Sequence, residues 1–311
     1  MAVAFAAAAE EHMQFAPKFF PGESLRYGVE SSTTTTGKTT TPISNPEGGS
    51  NSKQAIHLVV RLDVLDARAA GAGSAGAVRL RATYEKSSAE SQSDSFDPNA
   101  SGFSDQYSRL EGHAFQFTIG PNGEITDFQG LDDAFRDRSA ADPVLSWLQN
   151  ISPANALPQG GVAVGQKWKS ERPLAGAPLA GLLWQTESTY LRDEACGSSG
   201  GASESARREA SASAMCAVIL TRFAITRRGS GHSDETPEEY LRNGLRTSGT
   251  WTGAGESLDS VSLASGLLVS STETSTQNID YKIASASAKS SVHRVGQIQM
   301  QSEITLLPNQ N

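Results

Sequence analysis

Charged residues and long apolar runs are scarce in this chain, and each shortage excludes a class of protein. Charged side chains make up 19% of the 311 residues, against roughly 25% in an average globular domain, which excludes a highly charged disordered chain and a coiled coil. No apolar run reaches about 18 residues, so we expect no membrane-spanning helix. The net charge of −8 repels phosphate backbones, so nucleic acid is not an expected partner.

The strongest pattern that is present is alternation of apolar and polar residues with a period of two. Such alternation is typical of antiparallel strands with one buried and one solvated face. The alternating segments are His57–Asp66, Ala77–Lys86, Phe115–Ile119 and 297–306. The sequence therefore predicts a mainly β protein built as an antiparallel curled sheet or barrel-like body.

Turns and helix starts complete this expected fold. Pro121-Asn122-Gly123 and Ser265-Gly266 each separate two strand-like runs, as the turn of a β-hairpin does. A short helical segment is expected after Asp142-Pro143, with Leu148 and Ile151 on one face. A capping box at Thr236–Glu239 predicts another short helix. Four long segments rich in Ser, Thr and Gly are predicted as mobile loops: Ser31–Ser52, Ser87–Ser108, Gly197–Ala214 and Arg227–Ser233. Within the first of them, Thr33–Thr41 has the β-propensity to extend a strand.

The same order of strands and hairpins occurs twice along the chain, although sequence identity between the two halves is weak. We predict a first β-rich half over residues 15–130, a helical connector over 131–158 and a second β-rich half over 159–311. Duplication explains this layout. The alternative is that any all-β chain shows hairpins at similar intervals.

Compartment is indicated by the first residues and by the two cysteines. The apolar run 2–9 followed by two glutamates resembles the end of a signal peptide, so residues 1–14 are expected to be a signal-peptide remnant or a disordered tail; a short helical tail is the alternative. Cys196 and Cys216 flank a polar loop between two strand-like runs, so we predict a disulfide in an oxidising compartment, with two free thiols as the alternative. The expected location is periplasmic or secreted.

A search for catalytic and metal-binding motifs favours a protein that is not an enzyme. Gly71–Gly76 matches G-x-G-x-x-G, but a strand-like run follows it where a dinucleotide site requires a helix. Ser230, His232 and Asp234 lie too close together in one polar loop to assemble a triad. No pair of histidines has metal-ligand spacing. No cofactor and no metal are therefore expected.

Aromatic residues are the remaining candidates for a site. Phe115, Phe117, Trp147, Trp168, Trp184 and Trp251 lie on or beside predicted strands and the connector. One interpretation is the lining of an apolar ligand pocket between a curved sheet and its covering helix. The other is an ordinary hydrophobic core.

Several short motifs resemble an uncharacterised family of exported bacterial β-rich proteins with two similar halves. They are Pro21–Tyr27, Ala156–Trp168 and Ser248–Val269. That resemblance implies an exported β-rich fold and carries no activity. The expected architecture is also similar to the half-barrel of periplasmic lipoprotein carriers, the LolA-like fold. Fold likeness does not give function.

Two functions are expected from these observations. The first is non-catalytic binding or carriage of an apolar or lipid-like ligand in the cell envelope, which requires an apolar cavity on the order of several hundred Å³. The second is a structural or protein-interaction module of the envelope, with another envelope protein as partner and no small-molecule ligand.

Overall fold

The computed structural model describes ten ranges of the chain. These are residues 12–40, 49–67, 76–94, 100–131, 145–158, 160–174, 176–197, 214–228, 236–285 and 291–308. Several of the predicted features lie outside them: residues 1–11 of the predicted tail 1–14, most of the glycine motif, the polar triad at 230–234 and the helix start at Asp142-Pro143.

Eleven strands make up most of the described chain. They are β1 Ser24–Thr40, β2 Ser50–Ala67, β3 Val78–Ser93, β4 Ala114–Ile119, β5 Ile125–Gln129, β6 Lys167–Pro173, β7 Leu182–Ala195, β8 Met215–Arg227, β9 Leu245–Ser262, β10 Leu268–Ser285 and β11 Ser291–Leu307. Within the same residues there are two α-helices, α1 Ala100–Ser108 and α2 Glu238–Arg242, and two 3-10 turns, Ser146–Asn150 and Pro153–Ala156.

All eleven strands belong to one antiparallel sheet. Their order is β5-β4-β3-β2-β1-β11-β10-β9-β8-β7-β6. The sheet thus consists of two meanders, β1–β5 and β6–β11, joined where β1 pairs with β11 and Val29 lies opposite Ile304. The predicted mainly β, antiparallel fold is confirmed. The origin of the two meanders by duplication stays a prediction.

The alternation in the sequence identifies the buried face of the sheet, called the inner face below. On β2, Val60 and Leu62 are 0% exposed, while His57 and Arg61 lie on the other face. On β3, Leu80 pairs with Phe117 of β4, and both are fully buried. Burial of a large apolar side chain stabilises the fold by about 1.5–3 kcal/mol, so this row of residues carries much of the stability.

The sheet is strongly curled, although it stays open at its two edge strands, β5 and β6. In a flat sheet of this order β5 and β6 would lie roughly 48 Å apart. Both edges nevertheless contact residues 152–156, a segment that spans at most about 17 Å. A Cβ added at Gly123, in the β4–β5 turn, would come within 3.0 Å of the Ser152 hydroxyl. At the other edge, the Trp168 indole N–H of β6 donates to the Ala156 carbonyl at 2.9 Å.

Two segments lie against the inner face at one end of the curled sheet. The first contains Phe15, which packs edge-on against Tyr190 of β7 at 5.8 Å between ring centroids. The second is the connector, whose described part is residues 145–158. Its Trp147 packs against Tyr27 of β1 at 6.2 Å, and its Leu148 and Ile151 are buried, as predicted. The main core is therefore enclosed between the sheet and these two segments.

The two predicted helical segments are present, with local differences. In its described part the connector forms two 3-10 turns. At α2 the helix exists, but Thr236 does not cap it. The Thr236 hydroxyl instead accepts from the Thr247 N–H at 2.8 Å, which ties the helix start to β9. The pairing with β9 thus replaces the predicted capping box.

Two of the segments predicted as mobile loops contain regular structure. Ser31–Thr40 continues β1, and Ser87–Ser93 continues β3. Pairing with β2 and β11 satisfies the backbone hydrogen bonds of Ser31–Gly37 on both sides, so this polar stretch needs no apolar face. Ser87–Ser93 pairs with β2 on one side. α1 then packs against β3, where the Ser104 hydroxyl donates to the Ala89 carbonyl at 2.7 Å. The segments Gly197–Ala214 and Arg227–Ser233 lie mostly outside the described residues.

Candidate functional site

A cleft of about 210 Å³ lies on the inner face of β6–β10 beside the connector. Its lining combines apolar rings and aliphatic side chains with hydroxyl, carboxamide and charged groups. The lining residues are Gln149, Asn150, Pro153, Asn155, Ala156, Leu157, Trp168, Ser170, Arg172, Trp184, Thr186, Ser188, Ile219, Thr221, Phe223, Ser257, Asp259, Leu268, Ser271 and Glu273.

Strand register explains why so many polar groups meet there. Trp168, Ser170 and Arg172 alternate along β6 and therefore point to the same face. Across the sheet, Ser170 lies opposite Thr186 of β7, and Ser188 of β7 lies opposite Thr221 of β8. The inner face is thus apolar beneath the core and changes to hydroxyl side chains where the cleft begins.

Neighbouring hydroxyls in the cleft are hydrogen-bonded in pairs. Ser170 and Thr186 join through their hydroxyl oxygens at 2.7 Å. Ser188 and Thr221 do the same at 2.8 Å. These cross-strand contacts fix the rotamers of the hydroxyl groups, so the cleft presents a preorganised polar floor.

Two carboxyl groups, one from β9 and one from β10, line the cleft. The Ser271 hydroxyl donates to Asp259 Oδ1 at 2.6 Å, and the Ser257 hydroxyl donates to Asp259 Oδ2 at 3.3 Å. Burial raises the pKa of Asp259 more than these two hydrogen bonds lower it. Burial, followed by the nearby charge of Asp259, raises the pKa of Glu273, while Arg172 acts in the opposite direction.

Aromatic rings border this polar floor. The Trp168 indole is held by its bond to the connector, and Trp184 packs edge-on against Phe223 at 5.2 Å between ring centroids. Phe223 can lie across β9 because residue 255 is glycine: a Cβ there would be 2.4 Å from the Phe223 ring and 2.3 Å from the Thr274 carbonyl oxygen. The sequence thus places a ring over a strand where only glycine fits.

The six aromatic residues predicted from the sequence are distributed over three places. Phe115, Phe117 and Trp147 are buried in the main core. Trp168 and Trp184 line the cleft. Trp251 packs in a second, smaller apolar cluster, where it stacks on Tyr281 with an interplanar angle of 4°. The structure therefore brings two of the six residues to the cleft.

The polar residues of the cleft were missed by sequence reasoning. Arg172, Asp259 and Glu273 come from three different strands and have no short-range spacing in common. The one signal in the sequence was the hydroxyl-rich alternation Ser257–Asp259 and Ser271–Glu273 on two adjacent strands. To place these two stretches side by side, the register of the β9–β10 hairpin would have had to be predicted. In the structure the pairing of this hairpin begins with Leu268 opposite Val261.

The predicted disulfide is confirmed. Cys196 and Cys216 are bonded, with their Cα atoms 5.0 Å apart. They join the end of β7 to the start of β8, next to the backbone bond from the Cys196 N–H to the Ala214 carbonyl at 2.9 Å.

The cleft supplies few groups for acid–base or metal chemistry. Among its described lining residues, the titratable side chains are Arg172, Asp259 and Glu273. Within the ten described ranges, no group of three or more His, Cys, Asp or Glu side chains is arranged to hold a metal ion.

Comparison with solved structures finds distant likenesses. No family model matches the chain, and no curated protein matches it. A solved structure on lipid–protein interactions in lipovitellin matches 94% of this chain at 12% identity and a TM-score of 0.45, covering 26% of the lipovitellin chain. An outer membrane channel from Pseudomonas putida F1 matches 94% of this chain and 98% of its own at 8% identity and a TM-score of 0.16.

These likenesses are too distant to support a statement about function. This chain spans about a quarter of the lipovitellin chain. The motif resemblance to exported β-rich proteins stays a prediction. In the part of the chain that the structure describes, neither helix has the length and apolar composition needed to cross a membrane.

Replacing Asp259 by asparagine is expected to change how stability depends on pH. Because burial raises the pKa of Asp259, the folded protein binds more protons than the unfolded chain above the ordinary aspartate pKa, so stability falls as pH rises through that interval. Asp259→Asn removes this loss. The unfolding free energy of the variant relative to the parent should therefore increase as the pH rises above the ordinary aspartate pKa, measured by urea denaturation.

The control for this prediction is Asp105→Asn, which removes an exposed carboxylate from α1. Its curve of stability against pH should run parallel to that of the parent. A parallel curve for Asp259→Asn as well would contradict the burial of the Asp259 charge.

Proposed function

We propose that this protein is a non-catalytic binding protein of the cell envelope or the extracellular space, and that its cleft holds a small ligand with an apolar face. The observation that carries this proposal is the cleft itself: Trp168 and Trp184 border a preorganised polar floor next to a filled core. Concave sites that combine aromatic walls with a few fixed polar groups are the usual form of small-molecule sites.

The size of the cleft limits how a lipid-like ligand would bind. Its volume of about 210 Å³ is below the roughly 300–1,000 Å³ of pockets that enclose most of a drug-sized ligand. The cleft would therefore hold one end of such a molecule, and the remainder would extend beyond it. The cleft thus differs from the apolar cavity on the order of several hundred Å³ expected from the sequence, since it is smaller and its lining also carries hydroxyl, carboxamide and charged groups.

Location in an oxidising compartment is supported by the disulfide. Bonds such as Cys196–Cys216 persist outside the cytosol, where reducing systems do not open them. A binding protein of the envelope or of the medium fits this chemistry.

A non-catalytic role is supported by the state of the titratable groups in the cleft. Each Asp259 oxygen accepts a hydrogen bond from a serine hydroxyl. The nearby charge of Arg172 acts to lower the pKa of Glu273. Ser257 and Ser271 are bonded to a carboxylate, but the described lining residues include no histidine, lysine or cysteine, the side chains that most often supply or activate a nucleophile in covalent catalysis.

The test is native mass spectrometry of the protein purified from the envelope fraction of its own host. We expect a retained small-molecule adduct on the parent protein. Ser170→Trp should abolish it, because this exposed position on β6 lies in the cleft and a tryptophan there would fill the entrance. Lys169→Trp is the matched control, since Lys169 adjoins Ser170 on the opposite face of β6, and it should retain the adduct.

The same experiment tests the alternative of a protein-interaction module. The edge strands β5 and β6 each pair with one neighbour in the described sheet, so either could accept a strand from a partner. A bound protein without any small adduct, unaffected by Ser170→Trp, would overturn the binding proposal in favour of that module.

A further inference from the structure

We infer that the ligand of the cleft is a small saccharide, with one sugar ring enclosed between the aromatic walls and the hydroxyl floor. This inference rests on the proposed function and specifies its ligand class. It follows from how hydrogen-bond donors, acceptors and apolar surface are combined within one cleft.

The hydroxyl floor both donates and accepts hydrogen bonds. Each hydroxyl carries one hydrogen and two lone pairs. In the pair Ser188–Thr221, one hydrogen is used between the two oxygens, which leaves the other for a ligand. In the pair Ser170–Thr186, the Thr186 hydroxyl also donates to the Ser170 carbonyl at 3.4 Å, so this pair offers mainly acceptor lone pairs. Both pairs keep free lone pairs. A ligand rich in hydroxyl groups has the same dual capacity, so it can satisfy both kinds of site.

The charged and amide side chains of the cleft extend this mixture. Arg172 of β6 offers only hydrogen-bond donors, arranged in a planar fork. Asp259 of β9 and Glu273 of β10 offer acceptors. From the connector, Gln149, Asn150 and Asn155 line the cleft with carboxamides that both donate and accept. A polyol can hydrogen-bond to all of these groups at once.

Aromatic walls complement the remaining surface of a sugar. A pyranose ring has hydroxyls around its rim and C–H groups on its faces, so its faces pack on apolar rings. Trp168 and Trp184 provide such rings next to the polar floor, and the Trp168 indole is held in place at 2.9 Å from the Ala156 carbonyl. Rigid aromatic contacts lose little conformational entropy on binding.

Two other ligand classes match the cleft less well. An acyl chain would remove water from the polar groups of the cleft and would leave their remaining hydrogen-bonding capacity unused. An organic cation would pair with Asp259 and Glu273, but it would be repelled by Arg172 and would leave the hydroxyl donors unused. The mixed lining therefore favours a neutral hydroxylated ring over both.

The test is saturation-transfer NMR and isothermal titration calorimetry on the full chain with its disulfide intact. The probes are a panel of neutral mono- and disaccharides, a fluorescent fatty acid and a small aliphatic diamine. We expect at least one saccharide to bind, and Glu273→Gln and Trp184→Ala each to weaken its binding by about tenfold or more. Phe20→Ala is the control, because Phe20 is 67% exposed and is not among the residues that line the cleft, and it should leave saccharide affinity unchanged.

The outcomes separate this inference from the proposed function. Fatty-acid or diamine binding that Ser170→Trp abolishes, with no saccharide bound, would overturn the saccharide inference and leave the binding proposal standing. Failure of every probe, together with no adduct in the native mass spectrum, would overturn both. Saccharide binding that Ser170→Trp leaves intact would place the site elsewhere and overturn the inference. Near-ultraviolet circular dichroism would verify that each variant is folded.

Discussion

Truncation of Phe117 to alanine is expected to lower the free energy of unfolding by about 3–5 kcal/mol. Phe117 is fully buried on β4, opposite Leu80 of β3. Its ring also lies 5.9 Å from the Phe115 ring and 6.1 Å from the Phe128 ring, measured between centroids. Removing it leaves a cavity that paired strands on a curled sheet cannot close, so both the transfer free energy and the packing contacts are lost.

Urea denaturation of the oxidised protein measures this effect, with Phe20→Ala as the matched control. Phe20 is 67% exposed, so its truncation should change stability by no more than about 0.5 kcal/mol. A loss below about 1 kcal/mol for Phe117→Ala would contradict the filled core and would favour an open pocket at this position. The prediction therefore also decides between the two interpretations of this aromatic that the sequence left open.

The strands over the core were predictable because their side chains alternate. On β2 every second residue is apolar and buried, as the pattern indicates: Leu58, Val60, Leu62 and Val64. The Asn122-Gly123 turn joins β4 to β5 as expected, since asparagine followed by glycine favours tight hairpins. Local patterns of this kind depend only on neighbouring residues, which the sequence displays directly.

The outer length of β1 was not predictable in this way. β1 continues through Thr33–Thr40 without an apolar residue. Its stability there comes from backbone pairing with β11 and β2, and pairing partners far apart in sequence leave no local signal. Thr33–Thr41 gave the one correct indication, because threonine fits a pleated strand.

The cleft was only partly predictable for a related reason. Trp168 and Trp184 were identified as candidates because tryptophan is conspicuous on a strand. Whether a tryptophan fills the core, as Trp147 does, or borders a cleft depends on which strands become neighbours after the sheet curls. Asp259 and Glu273 approach each other only through the β9–β10 register, so their shared environment exists only in the folded sheet.

Loss of the disulfide is expected to lower the free energy of unfolding by about 3 kcal/mol. Cys196 and Cys216 are separated by 20 residues, and a bond that closes a loop of this size restricts the unfolded chain more than the folded one. In the folded protein the two strand ends are already held together by the Glu194–Cys216 and Ala195–Met215 pairs. The double variant Cys196→Ala/Cys216→Ala should therefore keep its fold and unfold at lower urea concentration.

Reduction of the parent protein separates the bond from the side chains. Cys216 is 0% exposed, so the double variant also loses some packing. Equilibrium unfolding of the parent is therefore also measured in excess dithiothreitol, which keeps both sulfur atoms and removes only the bond. Reduction should account for most of the unfolding free energy that the double variant loses. The double variant itself should not respond to dithiothreitol. Identical unfolding of the parent with and without the reductant would show that the bond does not stabilise the fold. It would also remove the main support for an oxidising compartment, because the protein would then be equally stable where thiols stay reduced.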